Sequence, residues 1–105
     1  MHKSGTPELR LSRQAERDLN SATAWYLADS RSAAASFVEQ VEQAFRLILE
    51  FPNVGVPLAT GYRRSNLQAF PYAVIYRVTS DAVEVLAVAH HRRMPGYWRG
   101  PEPEP

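Results

Sequence analysis

A chain of 105 residues has room for one domain and one modest core, because at this size folding removes roughly 60 to 65% of the unfolded surface from water. Cysteine is absent, which excludes disulfide frameworks, thiolate metal sites and thiol nucleophiles. The net charge is only +1, yet six arginines and only two acids fall between Arg63 and Arg99, so the positive charge is gathered in the last third.

Residues 1–7 hold no apolar stretch of signal-peptide length, and no run approaches the ~18 apolar residues of a membrane span, so a soluble, cytoplasmic protein is expected. Residues 1–7 and 100–105 are polar and rich in Gly or Pro, and are expected to be flexible ends around a single domain at 8–99. Lys3 is the only lysine among twelve basic residues. Arginine favours planar, bidentate or stacked recognition of carboxylates, phosphates and aromatic faces.

Glu8 to Leu11 alternates polar and apolar residues and predicts a short strand. Ser12 offers an N-cap, and Glu16 and Asp18 complement the dipole of a helix running to about Ala28. Its apolar stripe is Ala15, Leu19, Ala22, Trp25 and Tyr26, with at least one of the two aromatics expected in the core. Asp29 to Ser32 breaks the pattern. A second helix follows to about Glu50, with Ala34, Phe37, Val38, Val41, Ala44, Phe45 and Ile48 on one face, and Phe51-Pro52 ends it. So short a break requires an antiparallel helical hairpin.

Pro52 to Gly61, with two prolines and two glycines, predicts a loop. Tyr62 to Gln68, Tyr72 to Val78 and Val83 to Ala89 predict three strands. If Ser80-Asp81 are the central pair of a tight turn, Arg77 faces Glu84 across the last hairpin, which assigns Arg77 to structure. The fold class is α+β, in the order β-α-α-β-β-β, with the helical hairpin packed on an antiparallel sheet.

That order, together with Phe70-Pro-Tyr-Ala-Val-Ile-Tyr-Arg-Val78, Val83-Glu-Val-Leu-Ala-Val88, His90-x-Arg-Arg-x-Pro95 and Gly61-Tyr-Arg-Arg64, resembles the RelE/ParE superfamily of bacterial toxins over about residues 8–98. The resemblance implies one half of a type II toxin–antitoxin pair, held in a hetero-oligomer by a cognate antitoxin lying along the sheet edge and the helical hairpin. Two activities exist on such a fold. The RelE branch implies a ribosome-dependent mRNA endonuclease, and the ParE branch an inhibitor of DNA gyrase.

In the nucleases, two basic residues alternate on the second strand, an arginine opens the third, and an arginine and a tyrosine follow the fourth. These residues activate a 2′-hydroxyl and stabilise the charged transition state. Laid against that pattern without gaps, this chain has Arg64 at the first position, Asn66 at the second and Ala73 in place of the strand-three arginine. Arg92 matches the later arginine, Tyr97 lies near the tyrosine, and His90 or His91 matches a histidine acid used by some relatives. A nuclease reading therefore rests on Arg64, His90, His91, Arg92 and Tyr97. The words Phe70-Pro-Tyr72 and His90-x-Arg-Arg-x-Pro95 lean towards the ParE branch, for which no catalytic residue is expected.

For binding an antitoxin or a target, the candidates are Arg63, Arg64, His90, His91, Arg92, Arg93, Tyr97 and Trp98. Each has a plain alternative. The arginines would equally suit a solvated edge, the histidines a strand end bonded to loop carbonyls, and Trp98 either a fold-back over the sheet or a partner anchor. No metal and no cofactor is expected, since paired histidines lack a third ligand and no phosphate loop is present. An inactive relative retaining only antitoxin binding is the remaining reading.

Overall fold

A computed structural model describes residues 8–92; the expectations for residues 1–7 and 100–105, and for Arg93, Tyr97 and Trp98, lie outside them. The elements are β1 (Glu8–Leu11), α1 (Arg13–Asp29), α2 (Arg31–Glu50), β2 (Val56–Pro57), a 3-10 turn (Ala59–Gly61), β3 (Arg63–Asn66), β4 (Tyr72–Val78) and β5 (Ala82–His90). No helix among them is long and apolar enough to cross a membrane.

One serine makes the helical hairpin. Ser30 stands between the helices with extended backbone, donating its N–H to Tyr26 O at 2.9 Å to close α1 while its hydroxyl accepts from Ala33 N at 2.9 Å to open α2. One residue thus caps both helix ends, so the helices reverse with no loop between them.

The five strands lie in the order β1-β5-β4-β3-β2. From β2 to β5 every pairing is antiparallel, but β1 runs parallel to β5, from Glu8↔Ala82 to Leu11↔Val85. The sheet is thus mixed rather than antiparallel throughout. No short turn ties β1 to a neighbour, so the sequence leaves its direction open; the hairpin and three strands between β1 and β5 supply the long crossover a parallel pair needs. The second departure is β2, inside the segment expected to be loop, which pairs Val56 with Arg64 and Pro57 with Arg63. It is held from beneath. Tyr76 Oη donates to Pro52 O at 2.8 Å and accepts from Gly55 N at 2.9 Å. A Cβ on Gly55 would lie 2.8 Å from that hydroxyl, so only glycine lets the loop come this close.

The last hairpin turns at Ser80-Asp81, and Val78↔Val83, Arg77↔Glu84 and Tyr76↔Val85 follow the expected register. Beyond Tyr76 the register slips by one, to Ile75↔Ala87, leaving Leu86 as an extra residue. Either side of this bulge the sheet has two faces. Val74, Tyr76, Val83, Val85 and Val88 pack with Phe37, Val41 and Ile48 of α2 and Ala15 and Ala22 of α1; Phe45 of the predicted stripe is partly buried against them. Ala73, Ile75, Ala87 and Ala89 form a second cluster on the outer face with Leu58 and Tyr62.

The bulge is bolted to α1. Ser12 caps the helix by accepting from Ala15 N at 3.0 Å, and the same hydroxyl donates to Leu86 O at 2.8 Å. Asp18, read from the sequence as an acid complementing the helix dipole, is buried. Its Oδ2 accepts from Val88 N at 2.9 Å and its Oδ1 from Gln14 Nε2 at 2.8 Å. Of the paired aromatics, Tyr26 joins the core, with ring centroids 5.2 Å from Phe37 and 5.0 Å from Phe70, whereas Trp25 is 74% exposed.

Candidate functional site

Side chains alternate along a strand, so neighbouring arginines on β3 cannot share a face. Arg63 lies opposite Tyr76, and its Nη1 donates to Gly55 O at 2.7 Å and Asn53 O at 3.2 Å. That guanidinium fixes the loop carrying β2. Arg64 lies opposite Ile75, on the outer face, with Nε donating to Asn66 Oδ1 at 3.1 Å. Arg63 and Arg64, both candidates for binding a partner, therefore stand on opposite faces of the sheet. On the outer face Asn66 pairs with Ala73, and Ala73 with Ala89, giving one row across three strands with no charged side chain. Ala73 is buried. Further along the same face, Arg77 Nε donates to Glu84 Oε1 at 2.8 Å and its guanidinium lies 5.9 Å from the Tyr62 ring centroid. The Glu84 hydrogen bond and charge raise the Arg77 pKa still further, keeping this pair structural.

His90 stands on the other side. The bulge returns it to the helix face, where its ring meets Tyr72 edge-on at 5.0 Å. Its Nδ1 accepts from Arg92 N at 3.0 Å, a loop amide rather than the carbonyl expected, so the neutral ring carries its proton on Nε2. His91 is exposed and is tied through its backbone, whose N–H donates to Pro71 O at 2.9 Å. Arg92 is exposed as well. His90, Tyr72, Asp18, Arg17, Gln14 and Trp25 line a cleft of about 390 Å³ between α1 and the end of β5. Burial, then the proximity of Tyr26 and of the Asp18 carboxylate, raises the Tyr72 pKa above its usual value, so this phenol is neutral at physiological pH. Among the described residues, no group of three or more His, Asp or Glu is placed to hold a metal ion.

Residues 9–95 match the family model described as ParE toxin of type II toxin-antitoxin system, parDE. The chain belongs to the ParE toxin family. Two relatives called Toxin ParE2, from Mycobacterium tuberculosis strains CDC 1551 / Oshkosh and ATCC 25618 / H37Rv, are each 35% identical over 95 residues, covering 86% of this chain and 87% of the relative. A solved structure described as the chromosomal ParDE TA system from P. aeruginosa superposes with a TM-score of 0.71 at 20% identity, covering 83% of this chain and 98% of that one. This last likeness shows the shared fold. Within the ParE family, then, this chain keeps the helical hairpin on a mixed sheet and carries an uncharged row at the middle of its outer face.

The sequence reading missed the cleft. Asp18 and Val88 are seventy residues apart, and no periodicity joins them. The separation of Arg63 from Arg64 was legible, since strand alternation alone requires it. Trp25 and Tyr26 are adjacent helical positions about 100° apart, and here Tyr26 takes the core while Trp25 stays exposed.

Proposed function

We propose that this ParE-family toxin acts by binding DNA gyrase, without cleaving RNA, and that a cognate antitoxin neutralises it in a toxin–antitoxin hetero-oligomer. The observation that carries this reading is the row Asn66, Ala73, Ala89. A phosphoryl transition state needs cations placed where its charge develops, and a row of amide and methyl groups supplies none. The helix-face position of His90 supports the same conclusion, because an acid there and Arg64 on the outer face do not converge on one phosphate. Gyrase as target is what resemblance to the ParE branch implies. The binding residues we assign are Arg64, His91 and Arg92, with His90 in the cleft and Arg93, Tyr97 and Trp98 following in sequence; Arg63 is withdrawn to a structural role by its loop bonds.

The test compares gyrase supercoiling with ribosome-dependent mRNA cleavage, both with purified components. The expected result is inhibited supercoiling, lost on truncation after His91, and intact mRNA. Codon-positioned cleavage that disappears in His90→Ala, His91→Ala or Tyr97→Phe, with gyrase unaffected, would overturn the proposal and make the protein an enzyme.

A further inference from the structure

The cleft between α1 and the end of β5 is left over by the reading above, which takes only His90 from its walls. Gln14, Arg17, Asp18 and Trp25 fall on one face of α1 and form the helix wall, and Tyr72 and His90 stand opposite on the sheet. Hydrogen bonds fix one end of it. Asp18 Oδ1 accepts from Gln14 Nε2 at 2.8 Å, and Gln14 Oε1 accepts in turn from Arg17 Nη2 at 3.2 Å. This relay seats the Arg17 guanidinium at the rim and leaves the rest of its fork of N–H donors unused, with no carboxylate at salt-bridge distance among the described residues. Two further donors make no hydrogen bond among the described residues: the hydroxyl of Tyr72, and Nε2–H of the neutral His90 ring, whose Nδ1 is taken by Arg92 N. Along α1 from Arg17 the indole of Trp25 is 74% exposed, and none of the other exposed large apolar residues among those described lines the cleft. A single ring set among polar groups is no apolar patch of the size that receives a protein, but it is a stacking surface.

We propose that this cleft binds a single nucleoside monophosphate, with its base stacked on Trp25 and its phosphate held by Arg17. The chemistry of the walls selects the ligand. The unused groups are donors, whereas the acceptors Asp18 and Gln14 are already engaged, so the occupant must bring acceptors, as phosphate oxygens and the ring nitrogens and carbonyls of a base do. The buried Asp18 carboxylate repels an anion from the floor, which leaves the rim at Arg17 as the place for the phosphate. Arg17 and Trp25 are a little over two turns apart on α1, about 12 Å along its axis. A ribose separates ring from charge in the same way. The base edge then faces the Tyr72 hydroxyl and the His90 imidazole across the cleft. An apolar side chain from a protein would leave these polar walls dehydrated and unpaired, and a sugar phosphate lacks the ring that the indole stacks. The inference stands apart from the gyrase reading, since of the residues assigned there only His90 lines the cleft.

The experiment titrates the full chain with adenosine 5′-monophosphate, with adenosine and with ribose 5-phosphate, followed by calorimetry and by the indole Nε1–H signals in a proton–nitrogen NMR spectrum. The chain has two tryptophans, and Trp25→Phe identifies the signal of Trp25. The expected result is saturable binding of the monophosphate that shifts the Trp25 signal, with adenosine and ribose 5-phosphate each weaker by about tenfold, for want of a charge-assisted contact or a stacked ring. Arg17→Gln should weaken the monophosphate by about tenfold and leave adenosine within about twofold. Trp25→Ala should weaken both by about tenfold. Both side chains are exposed, so an unaltered melting temperature is expected of each variant, and the ligand series on the unaltered chain decides the question even where a variant fails to fold. Absence of saturable binding by the monophosphate, or binding that leaves the Trp25 signal unmoved, would overturn the inference. Equal affinity for ribose 5-phosphate would overturn it too, by showing that only an anion is held. A short single-stranded oligonucleotide binding about a hundredfold more tightly than the mononucleotide would make the cleft one step of a strand-binding surface and likewise overturn it.

Discussion

At the margin where β1 meets β5, the backbone groups left by the end of β1 are occupied from within. Ser12 donates to Leu86 O and Asp18 accepts from Val88 N, so the first turns of α1 take the place of a missing strand. At the opposite margin β2 contributes two residues and stops, and the Asn66 edge faces outward beside exposed Leu47, Phe51, Val54 and Val56. Beyond the end of β1, then, β5 is closed by side chains, whereas beyond the end of β2 the edge of β3 stays open. Unpaired edges invite other chains, so the carboxylate on Val88 N closes β5 beyond β1 to pairing, whereas nothing of the kind closes β3 beyond β2 among the described residues.

The sharpest way to break this comparison is to unseal the closed margin. Asp18→Leu leaves the buried Val88 N–H without its acceptor, and a loss of about 3 kcal/mol is expected in a urea titration. Asp18→Asn, which retains an amide oxygen, should lose less than half of that. If Asp18→Leu unfolds within half a kilocalorie of the unaltered protein, the carboxylate does not close the edge. At the open margin the corresponding change is Tyr76→Phe, which strips the hydroxyl from Pro52 O and Gly55 N and should cost about 2 kcal/mol. Because the loop it holds carries β2, hydrogen exchange in residues 53–57 should accelerate more than in β5. Equal acceleration in both would show that the margins are not independent.

Smaller effects refine the picture. Ser12→Ala removes a helix cap and the bond to Leu86 O together, and should lower stability by about 1 kcal/mol, with exchange rising at the start of α1. The smallest effect is alkaline. Tyr72 and Tyr26 both have pKa values raised above the usual 10.0, by burial first in each case. Folding therefore favours the neutral phenols, a contribution fully present below about pH 10 and lost as pH climbs through the raised folded values. The melting temperature, followed by circular dichroism from about pH 9 to about pH 11, should fall more steeply in the unaltered chain than in Tyr72→Phe. Parallel slopes would show that Tyr72 ionises as freely as a solvated phenol.

What the sequence made legible was whatever is written in local periodicity. The stripe from Ala34 through Phe37, Val41 and Ile48 produced α2 and its buried face, and the Ser80-Asp81 turn produced the register as far as Tyr76↔Val85. The direction of β1 was not legible, because it depends on where the chain returns more than seventy residues later, at Ala82 to Val85, rather than on the four residues of the strand. Asp18 looked like a helix-dipole acid because its backbone partner on β5 has no signature in its own neighbourhood. At the candidate site the reverse held for Arg63: its basic character made it a binding candidate, while the carbonyls of Asn53 and Gly55 that hold it are contributed by a loop with no visible pattern.

Leu86 has a consequence for how relatives are compared. Each residue added to a strand inverts the parity of all that follow, so this single unpaired position decides that Val88 and His90 look towards the helices while Ala87 and Ala89 look away. In a relative lacking it, a histidine at the same number of residues from the hairpin turn would emerge on the outer surface, on the face of the equivalent of Ala73. Counting residues from the turn therefore misplaces this imidazole, whereas its pairing with Tyr72 places it correctly, and removing Leu86 would smooth the strand while leaving His90 on the helix face.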